Sequence, residues 1–101
     1  MAVQLRRYEV LEGKMDSLLD WLPAIIAVRE QYGFRVEFMY ADREHNQLVW
    51  AVSHPGAVDA FEAAYQRFAA SLERAAALEG QPDRVALAHV AMVEPIISPV
   101  S

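Results

Sequence analysis

Two polar side chains, Arg6 and Tyr8, are predicted on one face of the first strand, because strand residues two apart point the same way. A guanidinium and a phenol that point into a cavity could hold a carboxylate or an enolate oxygen through charge-assisted hydrogen bonds. The alternative is a buried ion pair, or a polar rim at a contact between subunits. The sequence therefore gives Arg6 and Tyr8 as candidate binding residues.

The three histidines are the residues whose side chains most often serve in acid–base catalysis. His89 lies in the middle of an apolar strand, where its imidazole could act as a general base, or could simply be packed in a core or an interface. His54 precedes Pro55 and is a second catalytic candidate, although this position also suits the start of a helix. His45 belongs to a polar loop, where we expect it to be solvated.

The second and third strands add charged and aromatic candidates. Glu37 shares a strand face with Arg35 and could act as a counter-ion, while a solvated edge strand would explain both charges as simply. Tyr40 and Trp50 could line a pocket for a planar ligand, or could pack in the core. The complete set of candidate binding residues is Arg6, Tyr8, Glu37, Tyr40, Trp50 and His89.

Several kinds of site find no support. The histidines lack the spacing of metal ligands and the chain has no cysteine, so we expect neither a metal nor a cofactor. The glycines do not cluster into a phosphate-binding loop, and no serine-nucleophile motif is present. A net charge of -5 without a basic stripe argues against a nucleic-acid partner. No signal peptide or membrane-length apolar run is visible, so we expect a cytoplasmic protein.

The order of predicted elements is strand, helix, strand, strand, helix, strand. We expect strands at residues 3–11, 34–41, 47–53 and 84–94, and helices at residues 14–32 and 55–78. Pro23 predicts a kink or a break near Leu22 in the first helix. A chain of 101 residues fits one domain, which we place at residues 1–95, followed by a C-terminal tail at 96–101.

This order is typical of the ferredoxin-like α+β fold, a four-stranded antiparallel sheet with two helices on one face. The last strand is apolar on both faces, since Leu87 and Val93 alternate with Val90 and Met92. The face away from the helices therefore also needs cover, because soluble monomers rarely expose a large apolar surface. We expect two copies to pair sheet to sheet as a homodimer, leaving a cavity of the kind that binds small molecules.

Short motifs along the chain resemble those of NIPSNAP-like proteins. These motifs are Leu5-Arg6-Arg7-Tyr8-Glu9-Val10 followed by Gly13, then Leu19-x-Trp21-Leu22-Pro23, the Gly33-Phe34 junction and an apolar third strand that reaches Trp50. The resemblance covers about residues 3–95 and implies the dimeric α+β-barrel superfamily, which includes cofactor-independent monooxygenases, isomerases and haem-degrading enzymes. The family has no agreed catalytic residues, and Gln4 stands where many relatives have Glu.

Three functions remain open on the sequence. The first is a NIPSNAP-like homodimeric α+β-barrel protein that binds a small, partly apolar molecule in a cavity between the sheet and either the partner subunit or the helices. The second is a cofactor-independent monooxygenase or isomerase acting on a phenolic or polyketide-like substrate, with His89 or His54 as the base. The third is a structural or interaction module without a site.

Overall fold

The computed structural model describes residues 1–97, so positions 98–101 of the predicted tail lie outside the described residues. The strands are β1 (Ala2–Val10), β2 (Arg35–Asp42), β3 (Gln47–His54) and β4 (Val85–Val93), and the helices are α1 (Met15–Gln31), α2 (Val58–Ala69) and α3 (Leu72–Leu78). All neighbouring strands are antiparallel, in the order β2-β3-β1-β4. The predicted ferredoxin-like α+β fold is confirmed. Within residues 1–97, no helix is long and apolar enough to cross a membrane.

The hydrophobic core lies between the three helices and one face of the sheet, which we call the helix side. Leu48, Trp50 and Val52 of β3 point to this side and are at most 1% exposed. Leu18 and Leu22 of α1, one helical turn apart, pack against them in the same cluster. Burying each such side chain contributes about 1.5–3 kcal/mol, so this layer holds the helices on the sheet.

The opposite face of the sheet, which we call the outer face, carries apolar side chains at its centre and at its edge. Val3, Leu5 and Ala51 line a groove of about 510 Å³ on this face. Leu87 and Val93 of β4 are exposed there. From Ala86 onward every residue of β4 is exposed, including those on its helix side. The prediction that β4 leaves apolar side chains outward whichever way it faces is therefore confirmed.

Two irregularities in strand pairing change which residues share a face. Strict alternation of side chains along residues 34–41 predicts Val36, Phe38 and Tyr40 on one side of β2, but the pairing skips Glu37, so Val36 packs on the core while Phe38 lies opposite Ala51 on the outer face. A bulge inserts one residue, which reverses every later side chain in the strand. The prediction for β2 was wrong for this reason.

The second irregularity lies between β1 and β4. The pairing passes from Glu9 opposite Leu87 to Val10 opposite Val85, so Ala86 is the extra residue. Val85 consequently packs against the core on the helix side, although strict alternation predicts it on the face of Leu87.

The predicted single helix over residues 55–78 is two helices, so this prediction was wrong. Its proposed start at Pro55 is also incorrect, because α2 begins at Val58, after Gly56 with φ of +89°. The chain leaves the helix again at Ser71, whose Oγ accepts a hydrogen bond from the Arg74 N–H at 3.1 Å and caps α3. The side-chain cap satisfies an amide that the helix itself leaves unpaired.

The first helix, by contrast, is continuous from Met15 to Gln31, and the predicted break near Leu22 does not occur. Pro23 lies on the exposed side of α1, where its ring is accommodated without ending the helix. The end of α1 follows the prediction, since Gly33 has φ of +89° directly after the last turn.

Candidate functional site

A cavity of about 250 Å³ lies between the helix side of the sheet and the helices. We call it the helix-side cavity. Cationic and aromatic side chains dominate its wall, together with leucine and isoleucine side chains from α1. Its polar and aromatic lining residues are Arg6, Arg29, Arg74, Tyr8, Trp21, Trp50, Tyr65 and Phe68.

Arg6 and Tyr8 reach this cavity from β1, the central strand next to β3. The Arg6 Nε–H donates to the Tyr8 hydroxyl at 2.8 Å, and Nη1 donates to the Gln4 side-chain oxygen at 2.7 Å. The Tyr8 ring meets the Trp50 ring edge to face at 6.0 Å. Three of the predicted binding residues, Arg6, Tyr8 and Trp50, are thus brought together. The Nε and Nη1 groups of Arg6 already have hydrogen-bond partners within the protein.

Arg29 of α1, which the sequence analysis did not single out, is the most unusual residue of the cavity. Its side chain is 5% exposed, and its buried Nε and Nη1 have no hydrogen-bond partner. Buried polar groups without partners are rare in folded proteins, because each costs about 1–3 kcal/mol.

Aromatic rings surround the Arg29 guanidinium. Its Cζ lies 4.6 Å from the ring centre of Phe68, 5.4 Å from Trp50, 5.8 Å from Tyr65 and 6.0 Å from Phe34. Desolvation by burial, with repulsion from Arg6 as the next cause, lowers the pKa of Arg29 from its ordinary value to about 10. The group therefore stays protonated at neutral pH and carries a buried charge.

Helix geometry explains why Arg29 points into the core. Leu18, Leu22, Ile25 and Arg29 follow one another at steps of three and four residues, so they share one face of α1. An arginine at the end of an otherwise apolar stripe was a visible signal in the sequence.

Arg74 and a third unpaired donor, on Trp50, complete the polar wall of the cavity. Arg74 of α3 places its Cζ 5.6 Å from the Phe68 ring, on which Arg29 also lies. The indole Nε1 of Trp50 is buried without a hydrogen-bond partner. Among the described residues, no aspartate or glutamate lines this cavity. The wall thus offers several donors and no anionic acceptor.

Both histidine candidates lie outside the helix-side cavity. His89 sits on the outer face, opposite Arg7 in the β1–β4 pairing, and its Nε2 lies 2.7 Å from the Glu9 carboxylate. His54 ends β3, where its Nδ1 approaches the Pro55 carbonyl oxygen at 2.8 Å. The structure does not bring either imidazole to the Arg6 and Tyr8 pair.

Glu37 and Tyr40 also lie on the outer face. Glu37 occupies the bulge of β2, and its carboxylate is 3.2 Å from the Nε of Arg35. Tyr40 is 69% exposed and its ring lies 5.5 Å from that of Phe38. Within the described part of the chain, no group of three or more His, Asp or Glu side chains is arranged to hold a metal ion.

Solved structures with this architecture come from several bacteria. A NIPSNAP family protein of unknown function from Agrobacterium tumefaciens matches with a TM-score of 0.84 at 16% identity, covering 100% of this chain and 94% of that one. An uncharacterized NIPSNAP domain protein from Burkholderia xenovorans matches with a TM-score of 0.80 at 18% identity, covering 94% of each chain. The chain has the NIPSNAP domain fold. The resemblance predicted from its short motifs is confirmed at the level of structure.

One solved structure with a similar fold belongs to a protein named as an enzyme. A protein from Bacteroides thetaiotaomicron described as an antibiotic biosynthesis monooxygenase matches with a TM-score of 0.72 at 21% identity, covering 99% of this chain and 93% of that one. No family model matches the sequence, and no curated protein matches it. At these identities the NIPSNAP and monooxygenase likenesses concern the fold.

Proposed function

We propose that this NIPSNAP-fold chain is a binding protein for a small, partly apolar molecule, and that the ligand occupies the helix-side cavity. The observation that carries the proposal is the set of buried donors there, on Arg29 and Trp50, that have no partner in the protein. A site for a small ligand combines an apolar wall with a few polar groups that fix orientation, and this cavity has both. A module without a site would have no reason to keep these donors buried.

The chain offers a direct optical test. Both of its tryptophans, Trp21 and Trp50, line the cavity, so intrinsic fluorescence should change when a ligand enters. We expect native mass spectrometry of the purified protein to identify a co-purified small molecule, and titration with that molecule to change tryptophan emission. Ala88 of β4 is exposed and also lines the cavity, so Ala88→Phe should fill it and abolish the response.

The control is Ala27→Phe, which adds the same ring to the exposed side of α1. It should leave ligand binding unchanged. If Ala88→Phe bound the co-purified molecule as tightly as the wild type does, the ligand would occupy another site and the proposal would be wrong.

We further propose that the working unit is a homodimer, paired through the outer faces of two sheets. Exposed Leu87 and Val93, the apolar groove beside them and the uncovered strand β4 support this pairing. Sedimentation velocity should give a dimer for the wild type. Leu87→Asp should give a monomer, because it places a carboxylate opposite Glu9 within the apolar contact. The matched control, Leu72→Asp on α3, should remain dimeric.

A monooxygenase or isomerase acting on a phenolic or polyketide-like substrate is the second candidate, favoured by the fold shared with the Bacteroides protein. The positions of His89 and His54 give no support to a histidine base in the helix-side cavity. Tyr8, hydrogen-bonded to Arg6, lines the cavity from β1 and carries a hydroxyl that could act on a substrate there. Turnover lost in Tyr8→Phe but kept in His89→Ala and His54→Ala would favour this candidate.

A further inference from the structure

We propose that the ligand of the helix-side cavity is a small organic carboxylate on an aromatic or other apolar body, and that the Arg29 guanidinium binds its carboxylate. This inference rests on the proposed binding function and adds the chemical class of the ligand. Its starting point is geometric, since Nε and Nη1 of Arg29 are buried and unpaired in a side chain that is 5% exposed. Each of these nitrogens shares a donor edge of the guanidinium with Nη2, so a carboxylate that contacts either edge through both oxygens supplies one of them with an acceptor.

The surrounding rings do not satisfy these donors. Phe68 and Trp50 attract the positive charge through their ring faces by cation–π contacts. A ring face, however, offers no lone pair to an N–H that lies in the guanidinium plane. The aromatic rings therefore explain how the Arg29 side chain is held but leave its Nε and Nη1 N–H groups without an acceptor.

The local charge selects an anion rather than a neutral acceptor. Three arginines, Arg6, Arg29 and Arg74, line the cavity, and no described lining residue is acidic, although the whole chain has a net charge of -5. Like charges in a partly desolvated site repel one another strongly, because the effective dielectric there is far below that of water. A bound carboxylate would relieve this repulsion, whereas a neutral amide or ketone would not.

The rest of the cavity wall determines the polarity and the size of the ligand apart from its carboxylate. Leu18, Leu22, Ile25 and Trp21 of α1 face the cavity beside the arginines, so the part of the molecule away from the carboxylate meets apolar and aromatic surface. A volume of about 250 Å³ lies just below the usual range for drug-sized ligands, which limits the body to about one or two fused rings. An aromatic monocarboxylate meets both requirements.

The test compares acids with their uncharged amides. Benzoate and 1-naphthoate are titrated against the wild-type protein alongside benzamide and 1-naphthamide, with tryptophan fluorescence and calorimetry as readouts. We expect at least one acid to bind about ten- to a hundredfold more tightly than its amide, the range for a hydrogen bond to a charged group. Arg29→Met should remove this preference while weak binding of the amide remains.

Two further variants separate charge from geometry. Arg29→Lys keeps the charge but loses the planar fork, so the preference for the acid should fall without disappearing. Arg67→Met removes an exposed arginine of α2 and should bind every probe as the wild type does. Circular dichroism establishes that each variant is folded before titration.

Equal binding of acid and amide by the wild type would overturn the carboxylate inference while leaving a small-molecule site intact. The same conclusion would follow if Arg29→Met kept the preference, if no acid bound at millimolar concentration, or if the co-purified ligand proved to be uncharged. Failure of the underlying binding function is seen separately, as an Ala88→Phe variant that binds the co-purified molecule like the wild type.

Discussion

Replacing Arg29 by methionine should stabilise the ligand-free protein. Burial lowers the pKa of Arg29 to about 10, and a shift of this size corresponds to a cost of about 3 kcal/mol for holding the charged group in the folded state at neutral pH. Methionine has a similar length and no charge, and it keeps favourable contacts with the aromatic rings. Loss of the cation–π contacts offsets part of the gain, so the free energy of unfolding should rise by about 1–3 kcal/mol.

The assay is urea denaturation at pH 7, followed by circular dichroism at one fixed protein concentration, because dimerisation would make stability concentration-dependent. The control is again Arg67→Met, which removes an exposed positive charge and should change the free energy of unfolding by at most about 0.5 kcal/mol. A stability gain specific to Arg29→Met would isolate the cost of burying the charge.

The pH dependence gives an independent measure of the same cost. The pKa of Arg29 is lower in the folded state than in the unfolded chain, so the unfolded chain binds the Arg29 proton more tightly. The protonated guanidinium therefore lowers the free energy of unfolding. The wild type should therefore gain stability as the pH rises through about 10, while Arg29→Met gains nothing from this group. The difference in the free energy of unfolding between Arg29→Met and the wild type should be largest at neutral pH and should become smaller above about pH 10.

A different result would refute this reasoning. If Arg29→Met lost more than about 1 kcal/mol at pH 7, and the difference from the wild type did not change at alkaline pH, the guanidinium would be a net stabilising part of the aromatic core. The inference of an unmet anion site would then lose its energetic support.

Two further substitutions test the segments that position the site. Gly33→Ala should lower the free energy of unfolding by about 1–2 kcal/mol, because φ of +89° is strained for alanine and its Cβ would lie 3.0 Å from the His54 Nε2. Thermal unfolding measures this loss, and a variant as stable as the wild type would show that this turn is not constrained. Ser71→Ala should lower the free energy of unfolding by about 1 kcal/mol through loss of the α3 cap. It should also weaken ligand binding, since α3 carries Arg74 to the cavity. Unchanged stability together with unchanged ligand affinity would contradict this role.

The fold followed from features that are local in the sequence. Runs of β-forming residues bounded by turn signals marked the four strands, and the three- and four-residue steps of α1 and α2 marked the helices. Gly33 marked the end of α1 correctly. The sequence did not predict the break at Ser71, because the apolar stripe continues beyond this residue. A single capping serine is a weak signal against a long periodic pattern.

The assignment of residues to faces was harder, since it depends on register. One extra residue at Glu37 reversed the side chains that follow it in β2, and another at Ala86 reversed Val85 relative to Leu87. Nothing in the local sequence requires a bulge at either position. His89 was grouped with Arg6 for the same reason, because the pairing that sets Val90 rather than His89 opposite Arg6 is a tertiary property.

Arg29 shows what kind of candidate residue the sequence could have revealed. It occupies a core position of the α1 stripe with Leu22 and Ile25, where a charged side chain contradicts the local pattern. Such a conflict persists only when the folded protein compensates for it or when function requires it. The protein compensates in part, through Phe68 and Trp50, and leaves two N–H groups unmet. The unmet groups, rather than the charge alone, distinguish a binding arginine from a merely tolerated one.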